Sequence, residues 1–423
     1  MTKTDAIEFA ERMDRDDPLA GFRERFAIPT GPDGSPCIYF CGNSLGLQPD
    51  GVRDAVNREL DDWAALGVEG HFKARHPWMP YHERVAGSLA RLVGASPAEV
   101  VAMNTLTVNL HLMMVSFYRP TAERHKILIE AHAFPSDQYA VQSQLRYHGY
   151  DPAEALVELP PRAGGVTHRT DDILDLLDRE GKSIALVLLG GVNYYSGQVF
   201  DMGAIAAAAR AAGCVVGYDL AHAVGNVPLR LHDWGVDFAV WCTYKYLNAG
   251  PGNLAGCFVH ERHARAVDLP RFAGWWGHDP ETRFRMGPEF DPAPGAAGWQ
   301  LSNPPILPLA ALRASLDVFD AAGMDALRAK SERLTGFLGE ILAARFAERV
   351  RVITPAEPEA RGCQLSLVIG TEGRKVFEGL TRAGVIADWR EPDVIRVAPA
   401  PLYNTFGEVA RFCELLDAAL EGR

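Results

Sequence analysis

Residues 215–252 read VVGYDLAHAVGNVPLRLHDWGVDFAVWCTYKYLNAGPG. The apolar run 215–218 follows Gly213 and predicts a buried strand that ends on Asp219. A second run, 237–242, rich in β-branched and aromatic residues, predicts another strand and delivers Lys245 just past its end. Open α/β sheets bind ligands outside the carboxyl ends of their strands, so this carboxylate and this amine can face one crevice. Taken singly, each has an ordinary explanation. A loop lysine is usually a solvated charge, and an aspartate after a strand is usually a turn former or a helix cap. His222, one turn beyond Asp219, can stack on a ring or simply satisfy a neighbour. The small-residue run 248–252 suits the close approach of a ligand or a plain loop.

Together the pair has a chemical use. Pyridoxal phosphate is carried on a lysine amine, and an acid on its ring nitrogen keeps the ring protonated, so that it can act as an electron sink. Elsewhere the chain offers further candidates for such a site. The apolar run 100–103 is followed by Asn104, Thr105, Leu106 and Thr107 and then by helical composition over 108–118. Backbone N–H groups and hydroxyls at a helix start form an anion site, so Leu106 and Thr107 can hold a phosphate, with an ordinary N-cap as the competing account. The run 126–130 predicts a strand that leads to Phe134, Pro135, Ser136 and Asp137, where a ring can stack on a ligand or merely be buried beside a capping acid.

The blocks DLAHAVGN and TYKYLNAGPG resemble the kynureninases, pyridoxal-phosphate enzymes of the aspartate aminotransferase fold type and class-V aminotransferase-like family. The blocks YFCGNSLGLQP, GHFKARHPW, MNTLTVNLH, AFPSDQYA, FAGWWGH, LSNPPI, RGCQLSL and IRVAPAPLYN carry the same resemblance along almost the whole chain. It implies hydrolytic Cβ–Cγ cleavage of L-kynurenine or its 3-hydroxy form to anthranilate or 3-hydroxyanthranilate and L-alanine, in tryptophan degradation or NAD biosynthesis. It assigns Lys245 as Schiff-base lysine and proton shuttle, Asp219 as the partner of the ring nitrogen, and Tyr244 and Trp275 as phosphate ligands. Leu106, Thr107, Phe134, Ser136, Asp137, His222 and Asn303 complete the cofactor set it implies. Arg396 is the implied clamp on the substrate carboxylate, since a guanidinium presents a bidentate fork, while a surface arginine is the plainer reading. Ser44, His71, His278 and Asn303 are implied at the substrate, with Asn303 reaching across from the second subunit of a homodimer. Kynureninases tend to carry a hydroxyl residue that touches the phosphate where Gly190 stands, and this chain lacks it.

Bulk properties agree with such an enzyme. A length of 423 residues exceeds one core, and 48% hydrophobic with 23% charged residues suits an ordinary globular protein. A net charge of −12 argues against nucleic acid or an anionic membrane as partner. The start is acidic, without the pattern of a secretory signal, and no run approaches the ~20 apolar residues of a membrane span. Seven scattered cysteines without zinc-site spacing read as reduced thiols in a cytoplasmic protein, and no metal is expected.

Alternation of strands (100–103, 126–130, 184–189, 215–219, 237–242) with helices (50–65, 108–118, 201–212) predicts an α/β fold of pyridoxal-phosphate fold type I. Its large domain carries a mainly parallel doubly wound sheet, and its smaller C-terminal domain is α+β. The helix-resisting residues Asn303, Pro304, Pro305 and Pro308 set the expected boundary. The divisions are an N-terminal arm over 1–49, a large domain over 50–304 and a small domain over 305–423. The last opens with a long helix, 309–346, broken near Gly323. Strands at 365–369 and 394–397 and a closing helix at 406–420 follow. Two rival readings remain at this point. One is a cysteine desulfurase-like sulfur lyase that uses Cys363, although that residue runs straight into a strand. The other is a catalytically silent scaffold, against which the intact Lys245, Asp219 and Arg396 argue.

Overall fold

The computed structural model describes residues 3–422, so residues 1, 2 and 423, the extreme ends of the expected arm and small domain, lie outside the described residues. Seven strands form the larger sheet: β1 (Val100–Met103), β2 (Lys126–Glu130), β3 (Leu156–Leu159), β4 (Ile184–Gly190), β5 (Val215–Asp219), β6 (Phe238–Cys242) and β7 (Ala255–Val259). Their spatial order is β1-β7-β6-β5-β4-β2-β3, and all pairings are parallel except those of β7, which runs against both its neighbours. The mainly parallel sheet is therefore present as expected. The reversed strand β7 and the edge strand β3 are additions that the apolar runs did not signal.

These strands are apolar along their whole length because helices cover both faces of the sheet. Side chains still alternate. Leu186 and Leu188 join one core with Ile127, Ile129 and Val240, while Val187 and Leu189 join the other with Leu128, Val216 and Tyr218. Register then fixes the site: Gly190 pairs with Asp219 and Asp219 with Val240, so β4 and β5 end level with one another and β6 runs two residues further, to Cys242.

A second, antiparallel sheet has the order β8-β9-β11-β10, from β8 (Arg351–Val352), β9 (Leu365–Val368), β10 (Asp388–Arg390) and β11 (Val394–Val397). Leu365, Leu367, Ile395 and Val397 point into a separate core with Phe337, Phe406 and Phe412. Helix Lys3–Arg15 packs on helix Phe406–Leu420 through Ala6 and Ala10, which belong to this same core. The expected long helix is two helices, Ile306–Ala322 and Met324–Arg345, parted at Gly323, whose φ of 74° lies in the region that favours glycine. Core membership changes near that break. Leu309, Leu312, Leu316 and Phe319 pack with the large sheet, whereas Leu334, Phe337, Leu338 and Ile341 pack with the small one. Helix Lys3–Arg15 stops short of Pro18, and a 3-10 turn, Ala20–Arg25, follows beyond it.

Candidate active site

One pocket opens at the carboxyl ends of β2, β4, β5 and β6, and it is lined by Leu106, Thr107, Phe134, Ser136, Asp137, Asp219, His222, Tyr244 and Lys245. Nine expected residues are thus gathered in one place. Two helices begin here, Leu106–Phe117 and Pro135–Tyr147, and Thr107 Oγ1 lies 2.7 Å from Ser136 Oγ, tying their first turns together. No side chain caps either helix, so the N–H groups of Leu106 and Thr107 at the first and of Ser136 at the second are placed to meet an anion, whereas Pro135 has none and that of Asp137 donates to the Phe134 carbonyl.

Lys245 Nζ stands 3.0 Å from His222 Nε2 and 5.8 Å from the centroid of the Phe134 ring. Burial, with Lys245 next in size, pushes the His222 pKa well below the usual imidazole range, so the ring is neutral. A neutral imidazole that accepts from the amine at Nε2 carries its hydrogen on Nδ1, and that buried atom has no protein partner. Asp219 accepts from the Ala221 N–H at 2.8 Å, and Asp137 Oδ1 is a second buried atom without a partner. Burial raises both carboxyls, Asp137 further because Asp219 and Glu130 add like charge. Burial also lifts the Tyr244 hydroxyl to about 12, so it is a phenol at neutral pH.

Other expected residues lie elsewhere. Ser44 is outside the pocket wall, yet its loop docks on the lysine segment: Gly46 N–H donates to the Tyr244 carbonyl at 2.8 Å, and a side chain at Gly46 would run into Asn248 and the Lys245 carbonyl. Arg396, expected to enter the cleft, is not among the residues that line the pocket. Strand alternation does turn it away from the apolar core, but the side chain is 1% exposed and bonded behind the pocket. Its Nε donates to Asp388 Oδ1 at 3.0 Å, its Nη1 donates to the Tyr194 carbonyl at 2.6 Å, and Nη2 stands 2.8 Å from Asp388 Oδ1. Tyr194 itself lines the pocket. Trp275 and His278 line a different hollow with Arg283 and Phe290. His71 packs edge-on against Trp78 at 5.4 Å, and Asn303 is exposed. Within one chain these four are not brought to Lys245.

Glu130, Gly190, Val192, Tyr194 and Ala221 also line the pocket and were not singled out from sequence as binders. Glu130 had a usable signal, since it ends an apolar strand just as Asp219 does. Cys363 is 1% exposed, its backbone N–H donates to Asn226 Oδ1, and burial lifts its thiol to about 12, the opposite of a poised nucleophile.

Over residues 327–416 the chain matches the family model of the kynureninase C-terminal domain. A kynureninase of Myxococcus xanthus is 62% identical over 414 residues, 98% of this chain and 97% of its own. One from Koribacter versatilis is 60% identical over 412 residues, 97% of each chain. The chain belongs to the kynureninase family. Among solved structures, a cysteine desulfurase from Thermococcus onnurineus NA1 has a TM-score of 0.76 at 16% identity and 98% coverage of both chains. A desulfurase from Escherichia coli has 0.76 at 18% identity, covering 95% of this chain and 98% of its own. At such identities the likeness is one of fold, whereas family membership makes the protein a pyridoxal-phosphate enzyme, a hydrolase and not a desulfurase or a silent scaffold. The residues present fit that cofactor. Unpartnered Asp137 Oδ1 and His222 Nδ1, the aromatic face of Phe134 and the two uncapped helix starts offer an acceptor, a donor, a stacking surface and an anion seat around one amine.

Proposed function

We propose that the protein hydrolyses L-kynurenine, or its 3-hydroxy form, at the Cβ–Cγ bond to give anthranilate or 3-hydroxyanthranilate and L-alanine. The observation that carries this reading is the convergence of Lys245, Asp219, Asp137, Phe134, Thr107 and Ser136 on one pocket in a chain of this family. Bound pyridoxal phosphate supplies the electron sink, and water supplies hydroxyl to the acyl carbon and hydrogen to the alanyl carbon.

In this reading Lys245 holds the cofactor aldehyde carbon and then moves protons at Nζ, oriented by its contact with neutral His222. Asp219 pairs with the ring nitrogen, and Asp137 bonds the phenolic side. Phe134 stacks on the ring. The N–H groups and hydroxyls of Leu106, Thr107 and Ser136 hold the phosphate, with Tyr244 and Trp275. Arg396, braced by Asp388, receives the substrate carboxylate behind Tyr194, with Ser44 nearby.

We propose too that the protein is a cytoplasmic homodimer, and that Trp275, His71, His278 and Asn303 reach the substrate or cofactor from the second copy. The support is an exposed apolar set beside them: Trp63, Val68, Phe72, Phe284 and Met286. No helix among the described residues is long and apolar enough to cross a membrane. The segment 1–49 is proposed as an arm on the small domain, with 50–304 as the large domain and 305–423 as the small one, helix Ile306–Ala322 linking the two. Mixing the protein with pyridoxal phosphate and L-kynurenine should produce the fluorescence of anthranilate. Silence with both kynurenines, alongside sulfide release from cysteine, would overturn the reading.

A further inference from the structure

The pocket floor holds an acid to which no role is assigned above. Glu130 is the last residue of β2, is 4% exposed, and faces the ends of β4 and β5. Its two carboxyl oxygens lie 3.4 and 3.3 Å from the Gly190 nitrogen, whose N–H points at them. Gly190 matters here because a Cβ at that position would lie 3.1 Å from Glu130 Oε1, tighter than ordinary contact. The absent side chain leaves room for the carboxyl. Asp219 follows in register, since Gly190 pairs with it across β4 and β5.

Three carboxyl groups, Glu130, Asp137 and Asp219, thus share one buried site with a single amine, that of Lys245. Neutral His222 and the phenols Tyr194 and Tyr244 complete the titratable groups lining it, and across β3 Glu130 meets only Leu159. Three like charges in a low-dielectric pocket are not all held ionised without a cation among them. We propose that Glu130, held by the Gly190 N–H, is a positioning residue whose charge state sets how strongly the Asp219–Asp137 pair holds a cationic ring. When Glu130 is neutral the pair faces the ring with its own charge alone. When it ionises, a further negative charge lies beside Asp219 and the ring proton is held more tightly. Burial first of all, and Asp219 in addition, push the Glu130 carboxyl up to about 7, so the change falls in the physiological range.

The inference rests on the cofactor reading of this pocket, and one of its two tests needs no cofactor. In the cofactor-free protein, a carboxyl whose folded pKa is raised from 4.5 to about 7 favours the folded state below that window, and the advantage is lost as pH rises through it. Glu130→Gln removes the titration and keeps the shape. The Tm of Glu130→Gln should therefore gain on wild type between pH 4.5 and about 7 and hold its lead above that. The second test titrates cofactor-free protein with pyridoxal phosphate and takes the ratio of wild-type to Glu130→Gln affinity, in which every shared titration cancels. That ratio should be near unity at pH 6 and favour wild type by about tenfold at pH 8.5, the coupling expected of one nearby charge. A ratio that is flat with pH, with a Tm lowered equally at every pH, would make Glu130 a packing residue and overturn the proposal. If Glu130→Gln does not fold, Glu130→Asp carries both measurements. Its carboxyl is withdrawn by one methylene from the Gly190 N–H, so its step should move in pH, and profiles superimposable on wild type would be equally fatal. A Tm result as expected with no measurable binding of pyridoxal phosphate would place the failure in the cofactor reading instead.

Discussion

The Lys245 pocket and the aromatic surface around Trp275 and His71 are built on opposite terms. In the pocket the walls come from the ends of buried strands, the loops just past them and the starts of two helices, and the polar atoms without a protein partner are hidden from water. On the surface Trp275 is 43% exposed and Phe72 66%, and the candidate residues lie on short turns such as Gly70–Lys73 and Trp275–Gly277. The difference teaches that one chain suffices to gather nine of the expected residues, Lys245 and Asp219 among them, around one pocket. The residues expected at the aryl group lie apart from that pocket.

The sharpest way to break that contrast is Lys245→Ala. It should abolish activity and every borohydride-reducible chromophore, because no other amine lines the pocket. If the aromatic surface serves a neighbouring copy, Trp275→Ala should be impaired alone, and mixing it with Lys245→Ala should restore part of the activity through hybrid dimers. No recovery on mixing would assign both halves to a single chain.

Asp219→Asn comes next. It exchanges a charge-assisted bond worth about 1.5–3 kcal/mol for a neutral one, so turnover at saturating cofactor should fall by roughly 10- to 100-fold while the phosphate seat still retains cofactor. Near-normal turnover would remove Asp219 from the ring. Arg396→Lys should keep the buried charge beside Asp388 and lose the fork, weakening kynurenine binding by about one to two decades with the cofactor spectrum unchanged. Equal apparent affinities in a substrate titration would leave Arg396 as a brace for Tyr194. Cys363→Ala should change least. Trimming a small buried group costs stability of about 1 kcal/mol and should leave anthranilate formation within about twofold, as read by Tm and by fluorescence.

The pocket was legible because its chemistry follows strand ends. An apolar run that stops on a charged residue places that residue at the sheet's carboxyl edge whatever the rest of the chain does, which is why Asp219 and Lys245 could be read from 215–252. Glu130 obeys the same rule and was passed over, because the strand was read as a route to Phe134 and its own last residue was not weighed. Reversed β7 could not be read at all. Its AGCFV is as apolar as its neighbours, and direction comes from how the connection 243–254, with its turn at Pro251 and Gly252, hands the chain back between β1 and β6.

By itself, then, the sequence determined the apolar strand runs, the break at Gly323 and which charged residues stand at the sheet's edge, since each follows from local composition and sterics. Only the tertiary structure decided that three carboxyls share one buried floor, that Gly190 makes room for one of them, and that Arg396 is braced by Asp388 and Tyr194. Those are contacts between residues far apart in the chain, and their energies depend on distance and on exclusion of water, neither of which spacing along a sequence can express.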